Sequence, residues 1–230
     1  MSLERDLELL SEALARKFGP EVAQQITRVR GRLLDLASKK LVKSNHSTIE
    51  MLVAAYLASK GYEVDVERDV GDGLVCDVYG LKDGEIIIVE IETGFVPPSN
   101  ALDPIRYRAA REVSKVARYS QYADTFILAA PPYHVLFIPK VFLKSPEQRR
   151  PAEIVPLKGL LDAYYRNPPI PLELVMRARL DRVFITVIDR LEIIEMTVEQ
   201  YYALSASLYN GAPLEIENTL QNLEERAIQE

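Results

Sequence analysis

Leucines at 3, 7, 10 and 14 recur with 4-3-4 spacing, and after "GP" at 19–20 the stripe resumes through Val22, Ile26, Val29, Leu33 and Leu36. This period predicts a helical hairpin over residues 3–43, broken at Gly19-Pro20 and apolar on one face. A new pattern starts near residue 46, where "STIEMLVAAYLASKG" at 47–61 predicts a third helix, closed by Gly61. The period then drops to two. "YEVDVERDV" alternates apolar and acidic residues and predicts a partly exposed strand. "GDG" at 71–73 turns the chain into a second strand, "LVCDVYG". "LKDG" at 81–84 turns it again into a third, "EIIIVEIE".

A long helix is expected from about 100 to 122, with Asp103-Pro104 in its first turn, where proline is tolerated. "DTFILAA" at 124–130 predicts a buried strand, and "HVLFIPK" at 134–140 another. Beyond 145 the chain is proline-rich, with a short helix expected at "LKGLLDAYY" and strands at "RVFITVI" and "RLEIIEM". A helix is expected at "TVEQYYALSASLYNG", where Thr197 and Gln200 have the spacing of a capping box. The last 17 residues are polar and expected to be helical. The pattern predicts an α/β fold in three parts. A helical hairpin spans 1–45, a core in the order αβββαβ spans 46–144, and an α+β extension packed on the core spans 145–230.

The "IIIVEIE" strand carries the first chemical signal. Residues two apart in a strand share a face, so Glu90 and Glu92 point together from an otherwise apolar strand. One strand earlier, Val75, Asp77 and Tyr79 are expected to share a face, with Cys76 and Val78 on the other. Pairing through the 81–84 turn would bring Asp77 near Glu90. Two such charges 4 Å apart repel by about 4 kcal/mol at an effective dielectric near 20. Solvated strand ends, a retained proton or a divalent cation would relieve this. Hard oxygen ligands suit Mg2+ or Mn2+, and the Ile91 backbone carbonyl would supply one more oxygen.

Charge sharpens the picture. The net charge is −6, yet it is +3 over residues 1–45, −8 over 46–96, +5 over 97–150 and −6 over 151–230. Acidic residues thus gather around Glu90, with basic segments on both sides, as expected of a metal site beside a phosphate-binding surface. Cys76 is the only cysteine, which excludes a disulfide framework or a cysteine-based zinc site. His46 and His134 are too few for a histidine-based one. No GxxxxGK or GxGxxG motif suggests a nucleotide cofactor, and no GxSxG suggests a serine nucleophile. No apolar run approaches the roughly 18–20 residues of a membrane helix. The charged start "MSLERDLELL" has no signal-peptide core, so a soluble cytoplasmic chain is expected.

Taken in order, Glu50 on a helix, Asp77 on a strand, Glu90-Ile91-Glu92 closing the next strand, and a helix bearing Lys115 and Tyr119 before a short buried strand resemble the PD-(D/E)xK nuclease superfamily. Its fold is the restriction-endonuclease-like fold with a mixed central sheet. The resemblance covers roughly residues 46–140. It implies a Mg2+- or Mn2+-dependent endonuclease acting on DNA, with RNA left open, and a homodimer. By the same resemblance, Asp77, Glu90, the Ile91 carbonyl and Glu50 would be metal ligands. Glu92 stands where the family usually has lysine, and Lys115, from the following helix, would replace that cation. Lys115 and Tyr119 are similar to the Gln-x-x-x-Tyr pattern of the RecB-like branch, with Lys in place of Gln. Arg106, Arg108, Arg111 and Arg118, with Arg28, Arg30 and Arg32 of the hairpin, are candidates for phosphate contacts. Glu50 has a competing explanation, since Ser47-Thr48-Ile49-Glu50 also has capping-box spacing. His46, one turn before Glu50, is a further site candidate. The alternative function is an inactive nuclease-fold protein that binds nucleic acid or a protein partner.

Overall fold

A computed structural model describes residues 3–41 and 44–209. Helices α1 (Leu3–Phe18) and α2 (Pro20–Ser38) form the hairpin. Gly19 joins them at a φ of 92°, a left-handed conformation that costs glycine little, and Pro20 opens α2, where its missing N–H is no loss. Leu7 and Leu14 of α1 and Ile26 and Leu33 of α2 are fully buried. They pack against α3 (Ser44–Ser59). Met51, Leu52, Val53, Ala54 and Ala55 are consecutive and all fully buried, because α3 is covered by the hairpin on one side and the sheet on the other.

β1 (Glu63–Gly71), β2 (Leu74–Lys82) and β3 (Glu85–Ile91) form an antiparallel meander. α4 (Pro104–Tyr119) crosses over to β4 (Thr125–Ala130), parallel to β3. After α5 (Pro151–Tyr164) and α6 (Leu172–Arg177), β5 (Arg182–Val187) lies parallel to β4. β6 (Glu192–Thr197) returns antiparallel to it, and α7 (Val198–Tyr209) follows. Among the described residues, six strands form one mixed sheet in the order β1-β2-β3-β4-β5-β6. The expected α/β class and the αβββαβ order are therefore observed, and the strands of the C-terminal third extend the same sheet. Each face buries a separate core. One, under α1 to α3, contains Val64, Val66, Val78, Val89, Ile91 and Ile127. The other contains Ile88, Phe126, Leu128, Val113 and Val116, with Leu157 and Leu161 of α5. Full burial of such side chains contributes about 1.5–3 kcal/mol each.

Four local expectations change. α3 begins at Ser44, so Ser47 lies inside the helix and no capping box forms with Glu50. Residues 134–139 form no strand: β5 holds the free edge of β4, and Leu136 N–H donates instead to the Tyr201 hydroxyl at 2.8 Å. α4 is shorter than expected, with 3-10 turns at Pro98–Asn100 and Ser120–Tyr122 near its ends. α5 is longer, beginning at Pro151. The Thr197 capping box is present: Thr197 N–H donates to Gln200 Oε1 at 2.9 Å, and Gln200 N–H to Thr197 Oγ1 at 3.2 Å. The helix expected over the last 17 residues lies outside the described residues. Among the described residues, no helix is long and apolar enough to cross a membrane.

Candidate metal centre and active site

The β2–β3 ladder runs from Lys82↔Glu85 to Val78↔Val89 and ends there. One step further, each strand bonds to the other's side chain. Asp77 N–H donates to Glu90 Oε1 at 3.0 Å, and Ile91 N–H donates to Asp77 Oδ2 at 2.6 Å. β3 stays attached to β4 on its other side, where Glu92 N–H donates to the Ala129 carbonyl at 2.8 Å. The sheet therefore forks between β2 and β3, and the fork is lined by carboxylates. The expected alternation along β2 breaks here. Cys76 packs in the same core as Tyr79, while Val78 faces the other core. The break lies opposite Glu67 of β1, whose φ is 49°.

α4 reaches into the fork from one side. Lys115 Nζ lies 3.0 Å from Glu90 Oε2, 3.0 Å from Glu92 Oε1, 3.1 Å from Asp77 Oδ2 and 2.8 Å from the Ile91 carbonyl oxygen. Arg111, one turn earlier on the same face, donates from Nε to Glu92 Oε1 at 2.8 Å. One turn later, the Tyr119 hydroxyl donates to the Val75 carbonyl and ties α4 to β2. The Lys115 distances are those of ammonium hydrogen bonds, and they use the four oxygen-bearing groups at the fork.

α3 approaches Asp77 from the other core. One ligand atom each from His46, Glu50 and Asp77 lie within 4.8 Å of one another, a group that could hold a metal ion. Glu50 is fully buried, and neither of its carboxylate oxygens has a hydrogen-bond partner among the described residues. Such a carboxylate costs several kcal/mol unless a cation or a proton neutralises it. The His46 ring lies with Nε2 3.2 Å from Thr93 Oγ1. With Nε2 donating to Thr93, Nδ1 keeps its lone pair for an ion, the usual arrangement around a metal-bound imidazole.

Charge is unbalanced across this group. Among the described residues, Asp77, Glu90, Glu92 and Glu50 face two permanently charged basic partners, Lys115 and Arg111, so full ionisation leaves two negative charges uncompensated. The acidities reflect this. Burial, then the Asp77 charge, raises Glu50 well above the ordinary carboxylate range, and the same two causes raise Glu90 against the pull of Lys115. Glu67 follows the same pattern, pushed up to about 7 by burial and Asp77. Glu92 goes the other way: burial would raise it, but Lys115 and Arg111 outweigh burial and lower it. Burial would lower Lys115, yet Asp77, Glu90 and Glu92 hold it well above its ordinary value. Burial also lowers His46, against the attraction of Asp77. A divalent cation would supply the missing two charges, and an N/O donor set with a buried orphan carboxylate fits one.

The sequence candidates thus separate. Asp77, Glu90, Glu92, Lys115 and the Ile91 carbonyl meet at the fork, with Glu50 and His46 beyond Asp77. Arg111 is there too, as the partner of Glu92. Arg106 and Arg108 are half-buried nearer the start of α4, and Arg108 Nε is buried without a partner among the described residues. Arg118 stacks over the Tyr165 ring at 4.9 Å. On α2, Arg28 donates to the Val64 carbonyl, and Arg32 to the carbonyls of Val66 and Glu67. These two fasten the hairpin to β1, while Arg30 lies in a surface cleft with Glu4, Arg5 and Glu8. Sequence reasoning missed Glu67, which carried only the signal of another acidic residue in an alternating strand. It also missed the buried pair beneath the site, Glu112 Oε1 and His134 Nε2, at 3.0 Å. Gly94 lies against that histidine: a Cβ there would stand 2.7 Å from His134 Nδ1.

No protein-family model matches the chain, and no curated protein matches it in sequence. Among solved structures, it is similar to a chain of a CdiA-CT/CdiI toxin and immunity complex from Burkholderia pseudomallei. The identity is 17%, over 67% of this chain and 86% of that one, with a TM-score of 0.29, too low to establish a common fold.

Proposed function

We propose that the chain is a metal-dependent nuclease that hydrolyses phosphodiester bonds in DNA, a variant of the PD-(D/E)xK site with glutamate at the third position. The observation that carries this reading is the fully buried Glu50 carboxylate, unpartnered among the described residues and grouped with His46 and Asp77 where a metal ion could sit. A lysine from α4 stands in for the lysine that Glu92 replaces. A divalent ion at this centre would polarise a phosphoryl oxygen and acidify a water. Asp77, Glu50 and His46 would hold it. Lys115 supplies positive charge where negative charge develops on the phosphate. Glu92, kept anionic by Arg111 and Lys115, orients that lysine rather than taking up a proton. Arg106 and Arg108, on the same helix, would contact the phosphate backbone and position the duplex without reading its sequence. A two-fold dimer would present two such sites, one per strand.

The test is incubation with linear, supercoiled, single-stranded and branched DNA, and with RNA, in Mg2+ or Mn2+. Cleavage is expected to disappear with EDTA and with Glu90→Ala. Equal cleavage by Glu90→Ala overturns the assignment. One observation favours an inactive binding protein: the Lys115 ammonium is already surrounded by carboxylates, as in a purely structural ion cluster. The unpartnered Glu50 weighs against this, because a structural cluster has no use for it. Binding of DNA with no divalent-ion effect on melting or on cleavage would favour the inactive form.

A further inference from the structure

Asp77 stands between two oxygen-rich groups. Towards α4 lie Glu90 Oε2, Glu92 Oε1, Asp77 Oδ2 and the Ile91 carbonyl, all at 2.8–3.1 Å from Lys115 Nζ. Towards α3 lie His46 and Glu50, both oxygens of Glu50 buried and unpartnered. The first group already has a cation in covalent attachment to the chain. The second has none among the described residues.

We infer that Lys115 is the resident cation of the α4-side group, and that the chain binds a single divalent ion on the α3 side, held by His46, Glu50 and Asp77. This inference rests on the metal-dependent reading above and deepens it by fixing the number of ions and the residue that sets that number. The physical argument is competition. An ammonium and a divalent ion cannot share one set of oxygens, because like charges a few ångströms apart repel by several kcal/mol at protein dielectrics. For an ion to enter the α4-side group, Lys115 must swing away from every oxygen that now surrounds it. Glu50 gives up nothing, since its oxygens bond to no group among the described residues. The same geometry explains why glutamate is tolerated at 92. With the lysine arriving from α4, a second lysine at that position would crowd Lys115 and Arg111. A glutamate there gives both a partner.

The donor set also differs in kind. The α4-side group offers oxygen alone, while the α3-side group adds an imidazole nitrogen. Nitrogen donors favour transition ions over Mg2+, so Mn2+ is expected to bind more tightly than Mg2+.

Titration of Mn2+ followed by electron paramagnetic resonance counts bound ions without requiring turnover. One ion per chain is expected for the wild type. Glu50→Gln, which preserves shape and removes the buried charge, is expected to lose it, with affinity falling about 10-fold or more. Lys115→Ala is expected to bind a second ion, with the line broadening of a close pair. Melting curves of each variant establish that it is folded, and Glu50→Gln alone decides the ion's location should Lys115→Ala not fold. Retention of the ion by Glu50→Gln at wild-type affinity, or two ions in the wild type, overturns the inference while leaving metal dependence standing. No bound ion in the wild type overturns both readings.

Discussion

Asp77 and Glu90 exchange backbone hydrogen bonds through their side chains: Asp77 N–H is held by the Glu90 carboxylate, and Asp77's own carboxylate holds the N–H of Ile91, the residue after Glu90. The two strands are parted and held apart by the same pair. The carboxylates at the centre of the proposed chemistry are thus also part of the sheet's hydrogen bonding, which ties function and stability together at this point.

That double role predicts a split between two substitutions. Glu90→Gln retains an oxygen for Asp77 N–H and removes a buried charge, so denaturant unfolding is expected to show stability equal to or above wild type. Glu90→Ala leaves the N–H unpaired and is expected to cost about 1–3 kcal/mol, in addition to any loss from packing. Both remove a partner of Lys115 and are expected to reduce cleavage.

The raised acidities predict an unusual pH profile without divalent ions. Glu50, Glu67 and Glu90 bind protons more tightly in the folded chain than at the ordinary value of 4.5. Their contribution to stability is therefore present at low pH and is lost as pH rises from 4.5 through the folded values, about 7 for Glu67. Glu92 has the opposite sign, its contribution present above 4.5 and lost as pH falls below it. In EDTA, the melting temperature is expected to decline from about pH 5 towards pH 8. Mn2+ is expected to reduce that decline, and Glu50→Gln to flatten it in EDTA.

Gly94 offers a test of the buried pair beneath the site. Its φ is 78°, and a Cβ would meet His134 Nδ1 at 2.7 Å. Gly94→Ala is expected to destabilise by about 1–3 kcal/mol through strain and overlap. Combined with His134→Ala, which removes the ring, the cost is expected to be less than additive. A double-mutant cycle by chemical denaturation measures this.

The arginines divide into two groups that are expected to behave differently. Arg32→Ala loses bonds to two β1 carbonyls and is expected to lower the melting temperature with little change in DNA affinity. Arg106→Ala and Arg108→Ala are expected to weaken DNA binding and to reduce the salt slope by about 0.9 for each phosphate left without its arginine. Binding isotherms across a salt series separate the two.

Much of this architecture was legible in the chain. The change from helical period to period two at residue 62, and back near 104, marks the αβββαβ order because those elements bury one face or both. Glu90 and Glu92 were legible because charges in an apolar strand are conspicuous. Glu50 is a candidate only through the resemblance, since its spacing from Ser47 fits a cap equally well; the earlier start of α3 shows that the glutamate has no helix end to serve. The orientation of Cys76 and Asp77 was hidden because alternation fails at the fork, and a fork depends on side-chain bonds between strands. Arg28 and Arg32 read from the sequence as candidates for phosphate contacts because their acceptors are backbone carbonyls some 35 residues away, which no local pattern reveals.

The central claim is that the fork around Asp77 is a metal-dependent phosphodiesterase centre. Nicking of supercoiled plasmid in Mn2+ by the wild type and by Asp77→Asn measures it most directly, since asparagine keeps an oxygen for the Ile91 N–H while losing the charge. The account predicts nicking by the wild type, abolished by EDTA and reduced more than about 100-fold in folded Asp77→Asn. Nicking at the wild-type rate by Asp77→Asn, or nicking that persists in EDTA, would contradict it.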